Sequence, residues 1–231
     1  MEVKQSNRIQ TSILNAAEKK VLVWLAEKQP KWVTSDFLSF IGFLGAVIIG
    51  AGYILSDYNI NWLWLCSFGY FVNWYGDSLD GTLARVRKQQ RPIYGFYLDH
   101  TLDAVNECIM FGCAGISALI NLPIALAGLL LYLLITLNVT VNAHLKGEFK
   151  LTYAKLGPTE LRIIMVLVNC LFIFVAPIRD FSMIVDIFGH TLRFGILDLI
   201  GGGIVLILTV IYFTTIYGDA KYYAKIDPRK K

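Results

Sequence analysis

From Phe37 onward the chain is a succession of apolar runs, several of them close to the roughly 20 residues a helix needs to cross a bilayer. No other feature restricts the fold so tightly. In lipid every backbone N–H and C=O must be paired, so runs of this kind are read as helices. Composition agrees: 56% of the 231 residues are hydrophobic and 16% are charged, against about a quarter charged in a soluble domain. The reading is an all-α, polytopic membrane protein with six transmembrane helices.

The segments follow from local signals. Thr34, Ser35 and Asp36 are capping residues that open span one, about 36–56. Span two starts near Ile60 and ends before the basic loop Arg85–Arg91. Span three runs from near Tyr94 to about Ile120, and span four over about 123–144. Span five opens at Pro158, a favoured first helical position, and ends near Pro177. Residues 178–194 read as a loop, partly amphipathic, before span six at about 195–217. Ahead of the spans, Ile9, Ile13, Ala17, Val21 and Leu25 recur every four residues. This predicts an amphipathic interfacial helix over 9–29, stopped by Pro30. The expected organisation is a juxtamembrane helix (1–33), a membrane domain (34–220) and a basic tail (221–231). Residues 1–12 are polar, and no cleaved signal is expected.

Charge sets the orientation. All 21 Lys and Arg residues except Arg179 and Arg193 precede span one, or lie in Arg85–Arg91, Lys146–Arg162 or the tail. The positive-inside rule then places both termini and the Arg85–Arg91 loop in the cytoplasm. The net charge of +4 is modest, and nucleic acid is not expected as a partner. Cys66, Cys108, Cys113 and Cys170 have neither zinc-ligand spacing nor a secreted disulfide pattern and read as packing residues.

Between Asp77 and Asp103 the chain carries four aspartates in two pairs, attached to spans two and three. Carboxylates beside lipid-facing sequence are costly and mark function by default. Positions i, i+3, i+4 and i+7 share a helix face. Asp77, Asp80, Gly81 and Ala84 therefore form one face, and Gly95, Asp99 and Asp103 another. A short loop joins the two spans, so the faces can meet. Four crowded carboxylates repel unless cations separate them. Oxygen-only ligation favours Mg²⁺, Mn²⁺ or Ca²⁺ over zinc, and four carboxylates suit two metals clamping a phosphoryl displacement. Arg85 lies one position beyond and can neutralise phosphate. Helix caps or interfacial charges would explain one pair alone. Arg87, Lys88 and Arg91 are explained by topology.

The pattern D-x2-D-G-x2-A-R-x9-G-x3-D-x3-D, from Asp77 to Asp103, resembles the signature of the CDP-alcohol phosphotransferase (CDP-alcohol phosphatidyltransferase) family, with every fixed position present. The TSDFLSFIG entry to span one is also like the family. The resemblance implies an enzyme of membrane phospholipid synthesis. Such an enzyme transfers a phosphoalcohol or phosphatidyl group from a CDP-linked donor to an acceptor hydroxyl and releases CMP. It implies two divalent cations, Mg²⁺ or Mn²⁺, on Asp77, Asp80, Asp99 and Asp103, with Asp103 as general base. Asp77, Gly81, Ala84, Arg85 and Gly95 would line the CDP site, and a homodimer is implied. The D-H-x2-D-x2-N run from Asp99 to Asn106 and the G-P-T-E segment at Gly157–Glu160 resemble the choline/ethanolamine branch. CDP-choline or CDP-ethanolamine with diacylglycerol, and CDP-diacylglycerol with a polar alcohol, both stay open.

Glu107, His144, Lys146, Glu160 and Arg162 are the candidate acceptor-binding residues. Glu160 can pair with an amine or simply face the helix N-terminus. His144, Lys146, Lys155 and Arg162 can hold an anionic acceptor or simply follow the positive-inside rule. Gly201, Gly202 and Gly203 suggest close helix packing in span six. A cation transporter would use intramembrane carboxylates too, but it expects acids near the midplane and an inverted repeat. A non-catalytic scaffold is opposed by the intact motif.

Overall fold

The computed structural model describes residues 7–9, 14–146, 148–150, 157–187 and 190–229. It is all-α in class. The helices are α1 (Asn15–Lys28), α2 (Ser35–Leu55), α3 (Leu63–Val86), α4 (Pro92–Ile116), α5 (Leu122–Lys146), α6 (Pro158–Phe174), the short α7 (Ala176–Arg179) and α8 (Ile196–Ile226). Among the described residues, three helical stretches, Ser35–Leu55, Leu122–Leu145 and Ile196–Ile226, are both long and apolar enough to cross a membrane. Helices α3 and α4 have 24 and 25 residues but carry the aspartates, and α6 has 17 residues.

Helix α3 is the hub. It packs on α1, α2 and α6, while α4 joins α2 to α5 and α5 holds α8. The α2–α3 contact is very close because glycines face each other across it. A Cβ on Gly45 would lie 2.6 Å from Asn73 Cα, and one on Gly76 would lie 2.5 Å from the Leu38 carbonyl oxygen and run into the Gly42 backbone. Backbone cannot yield as a side-chain tip can, so Gly76→Val should force α2 and α3 apart, with a cost of about 1–3 kcal/mol or more for overpacking. The expected result is a clearly lower melting temperature in detergent. A variant that melts with the native protein would show the contact to be looser than this.

Helix α1 starts later than the expected 9–29. Ile9 lies in a three-residue strand, β1 (Asn7–Ile9), paired in parallel with β2 (Glu148–Lys150), and Ile13 lies outside the described residues. The buried positions of α1 are Leu22 and Ala26, which pack with Val33, Leu38, Leu79 and Leu83. Ala17 and Val21, part of the expected apolar face, are exposed, and so is Trp24 beside them. The helix thus has one face for the protein and another left bare. Polar ties fix its position: Trp74 Nε1 and Thr159 Oγ1 donate to Glu18 Oε1 at 2.8 and 2.6 Å. The C-terminal turn is held by Arg87, whose guanidinium donates to the carbonyls of Gln29, Pro30 and Val33 at 2.9, 2.9 and 2.5 Å. Arg87 therefore has a local task beyond topology.

Two other boundaries need correction. Where a loop is expected over 178–194, the end of α7 is followed by an antiparallel hairpin of β3 (Ser182–Ile187) and β4 (His190–Gly195). Helix α8 continues to Ile226, so the first residues of the expected tail are helical. Among the cysteines, Cys66 is buried in a core with Ile49, Tyr53, Leu63, Tyr70 and Phe172, whereas Cys108 is exposed.

Candidate active site

Helices α3 and α4 bring the two aspartate faces together. Carboxylate oxygens of Asp77, Asp99 and Asp103 all lie within 4.8 Å of one another. Asp80 lines the same narrow cavity, with Ser39, Gly42, Leu102 and Asn106. At about 10 Å³ the cavity is ion-sized. Helical phase accounts for this: each pair is one turn apart on its own helix, and the close α2–α3 contact sets the depth of the first pair.

Asp80 is fixed by the start of α2. Ser39 Oγ donates to its Oδ2 at 2.5 Å, Ser35 Oγ donates to its backbone carbonyl at 2.8 Å, and the Gly81 N–H turns back to its Oδ1. Ser35 and Ser39 are four residues apart, so one face of α2 supplies both contacts. Thr34 caps this helix by accepting from the Phe37 N–H at 3.1 Å. A Cβ on Gly42 would lie 3.1 Å from the Asp77 nitrogen, so this glycine too keeps α2 against the site.

Arg162 enters from α6. Its Nη2 donates to Asp77 Oδ2 at 2.6 Å and its Nε to Asn73 Oδ1 at 2.9 Å. Asn73 in turn donates to the Gly42 carbonyl at 2.9 Å. A guanidinium holding two acceptors in its fork fixes orientation as well as charge. Ser39 and Asn73 carry no chemical signal in the sequence that separates them from other polar helix residues, and their roles come from packing.

The residues assigned to the CDP side leave space. A Cβ on Gly95 would meet nothing within 4 Å, and one on Gly81 would meet Arg85 Nη1 at 3.6 Å. Ala84 is half-buried and Arg85 is exposed, donating from Nη2 to Thr82 Oγ1 at 2.9 Å. His100 packs on Phe96, with ring centroids 4.1 Å apart.

The acceptor candidates do not form one group. Arg162 reaches the aspartates, and Glu107 lies one turn below Asp103, hydrogen-bonded to Tyr132 of α5. Glu160 is buried, and its oxygens accept from the Leu14 and Gly157 N–H groups at 2.9 and 3.0 Å. It thus ties the start of α1 to the start of α6. His144 is exposed near the end of α5. The side chain of Lys146, and Lys155 as a whole, lie outside the described residues. Glu160→Ala leaves two inward-turned amides without acceptors, and stability should fall by about 1–3 kcal/mol. Thermal unfolding in detergent measures this, and an unchanged midpoint would mean that water replaces the carboxylate freely.

A set of hard carboxylate oxygens converging on an ion-sized space fits a divalent cation. The family model for CDP-alcohol phosphatidyltransferases matches residues 32–194, a stretch that contains all four aspartates and Arg162. The chain belongs to the CDP-alcohol phosphatidyltransferase family. It is an enzyme, a transferase of substituted phosphate groups, and its family's reaction moves a phosphoalcohol from a CDP-alcohol in phospholipid synthesis. The family and the three apolar helices make it a membrane protein. No match was found among curated proteins.

Proposed function

We propose that the enzyme transfers a phosphoalcohol or phosphatidyl group from a CDP-linked donor to an acceptor hydroxyl at the cytoplasmic face of the membrane. The observation that carries this is the convergence of Asp77, Asp99 and Asp103 within 4.8 Å, with Asp80 in the same cavity. Asp77, Asp80, Asp99 and Asp103 would hold two divalent cations, Mg²⁺ or Mn²⁺, which would supply neutralisation of the diphosphate and of the leaving CMP. Gly81, Ala84, Arg85 and Gly95 line the CDP side, where the absence of side-chain bulk admits the nucleotide. Asp103 takes the proton of the acceptor hydroxyl. The acceptor oxygen bonds to the distal phosphorus, the pyrophosphate P–O bond breaks, and CMP leaves.

The membrane layout completes the proposal. Helices α3, α4 and α6 span the bilayer with α2, α5 and α8, giving six spans and cytoplasmic termini, so a soluble nucleotide meets a lipid at one boundary. Residues 1–33 form the juxtamembrane unit, with Ala17, Val21 and Trp24 toward the lipid; 34–220 form the catalytic domain and 221–231 the basic end. The enzyme works as a homodimer. Arg162 and Glu107 stand nearest the acceptor, while Glu160 positions α6, and His144 and Lys146 remain candidates for holding the acceptor. The Asp99–Asn106 run and the Gly157–Glu160 segment favour an amino-alcohol substrate.

The test is direct. The purified enzyme is given Mg²⁺ with CDP-diacylglycerol or CDP-ethanolamine, against a panel of alcohols and diacylglycerol, and CMP is followed. Metal-dependent CMP release with one donor–acceptor pair is expected. No CMP from any pair would overturn the reading.

A further inference from the structure

Asn106 is 6% exposed, and its Oδ1 accepts no hydrogen bond among the described residues. A buried carbonyl oxygen without a donor is uncommon in a folded protein and calls for a physical cause. Asn106 stands three residues after Asp103 and seven after Asp99, so all three lie on one face of α4. It lines the narrow cavity together with Ser39, Asp77, Asp80, Asp99 and Asp103. Among the described residues none donates to it. Ionised carboxylates only accept, and the Ser39 hydroxyl hydrogen is given to Asp80. A cation entering the cavity would supply the electron-poor partner that this oxygen lacks among them.

We propose that Asn106 Oδ1 is a neutral oxygen ligand of a divalent cation held in the aspartate cavity. This rests on reading the cavity as a cation site. Hard divalent cations take six or more oxygen ligands and accept side-chain carbonyls among them. A carboxamide adds a ligand without adding charge, whereas a fifth carboxylate would deepen the mutual repulsion of the aspartates. The position matters too. Asn106 lies one turn farther along α4 than Asp103, so its oxygen would add to the carboxylates without displacing any of them.

The experiment uses the full chain in detergent with Mn²⁺ alone, without nucleotide or lipid. Free Mn²⁺ is measured by electron paramagnetic resonance, and melting is recorded with and without the ion. Asn106→Leu should weaken Mn²⁺ binding about tenfold or more, as loss of a group supporting a metal does. Its metal-free form should melt no lower than the native protein, because the orphaned acceptor is gone. Asn106→Asp, which keeps an oxygen at the position, should retain Mn²⁺ binding. Native Mn²⁺ affinity in Asn106→Leu would overturn the inference alone and would mark Asn106 as a contact for the alcohol or the nucleotide. Loss of metal-free stability in Asn106→Leu with unchanged Mn²⁺ binding in both variants would make it a packing residue. A native protein with no saturable Mn²⁺ binding would overturn both the inference and the cation site beneath it.

Discussion

Asp103→Asn should abolish CMP release while the protein still inserts and elutes as a single species. Asn matches Asp in shape, so the packing of α4 on α2 and α5 has no reason to change. Two functions are lost together. An amide cannot take a proton from the acceptor hydroxyl, and general-base catalysis contributes about 10²–10⁴-fold. The variant also removes one of the three carboxylates whose oxygens converge within 4.8 Å, so cation affinity falls as well. The expected drop in kcat is at least about a thousandfold. Asp80→Asn should act through the cation site alone. Asp80 is held by Ser39 on α2, and higher Mg²⁺ or Mn²⁺ should restore much of its activity, whereas in Asp103→Asn it can restore only the part lost with the cation and not the part lost with the base. Equal recovery of the two variants at high metal would remove Asp103 from the role of base. Full activity in both would remove the aspartates from catalysis altogether.

The aspartate cavity was legible because its geometry is mostly local. Spacings of three and four residues place each pair on one helix face, and a short loop makes the two helices neighbours. No contact between distant segments is needed to see it. Arg162 was legible as a cation near the site but not as the partner of Asp77. That bond joins residues 85 apart in the chain, and it depends on how α6 leans on α3. Glu160 shows the same limit. A carboxylate in the first turn of a helix predicts an interaction with its own N-terminus, which the Gly157 bond fulfils. The second bond, to Leu14, requires α1 to lie across the start of α6.

In the N-terminal helix the apolar stripe and the docking face are different faces, for a physical reason. The every-fourth apolar residues Ala17 and Val21 form a real face, but it is the exposed one. The face that docks on α3 carries Glu18, Leu22, Ala26 and Gln29, and two of these bind through hydrogen bonds to Trp74 and Tyr75. Periodicity in hydrophobicity cannot detect a face attached by polar groups. The hairpin of β3 and β4 was missed because its strands, short and mixed in character, sit between long apolar helices. Met183 and Val185 stand opposite Ser182 and Asp186, but Ile184 shares the polar face, so the alternation is broken.

Arg162→Met is the second large effect expected. The native guanidinium and the Asp77 carboxylate are mostly buried, with side chains 17% and 23% exposed. Removing one partner of a buried pair leaves an uncompensated charge, which costs about 3–5 kcal/mol for full burial and less here because water reaches both groups. Asn73 loses its second tie while keeping Gly42, so Asp77 becomes free to turn away from Asp99 and Asp103. We expect both a lower melting temperature and a kcat reduced about a hundredfold, as misplacing a reacting group by an ångström does. Arg162→Lys separates charge from geometry. Lys supplies the positive charge but not a planar fork able to hold Asp77 and Asn73 together. It should recover most of the stability and only part of the rate, giving the order native, Lys, Met for kcat. If Arg162 instead held an anionic acceptor, both variants would raise the acceptor KM with kcat little changed, and the melting temperature would follow neither. The split between kcat and KM, read alongside the melts, therefore decides whether Arg162 acts on Asp77 or on the alcohol.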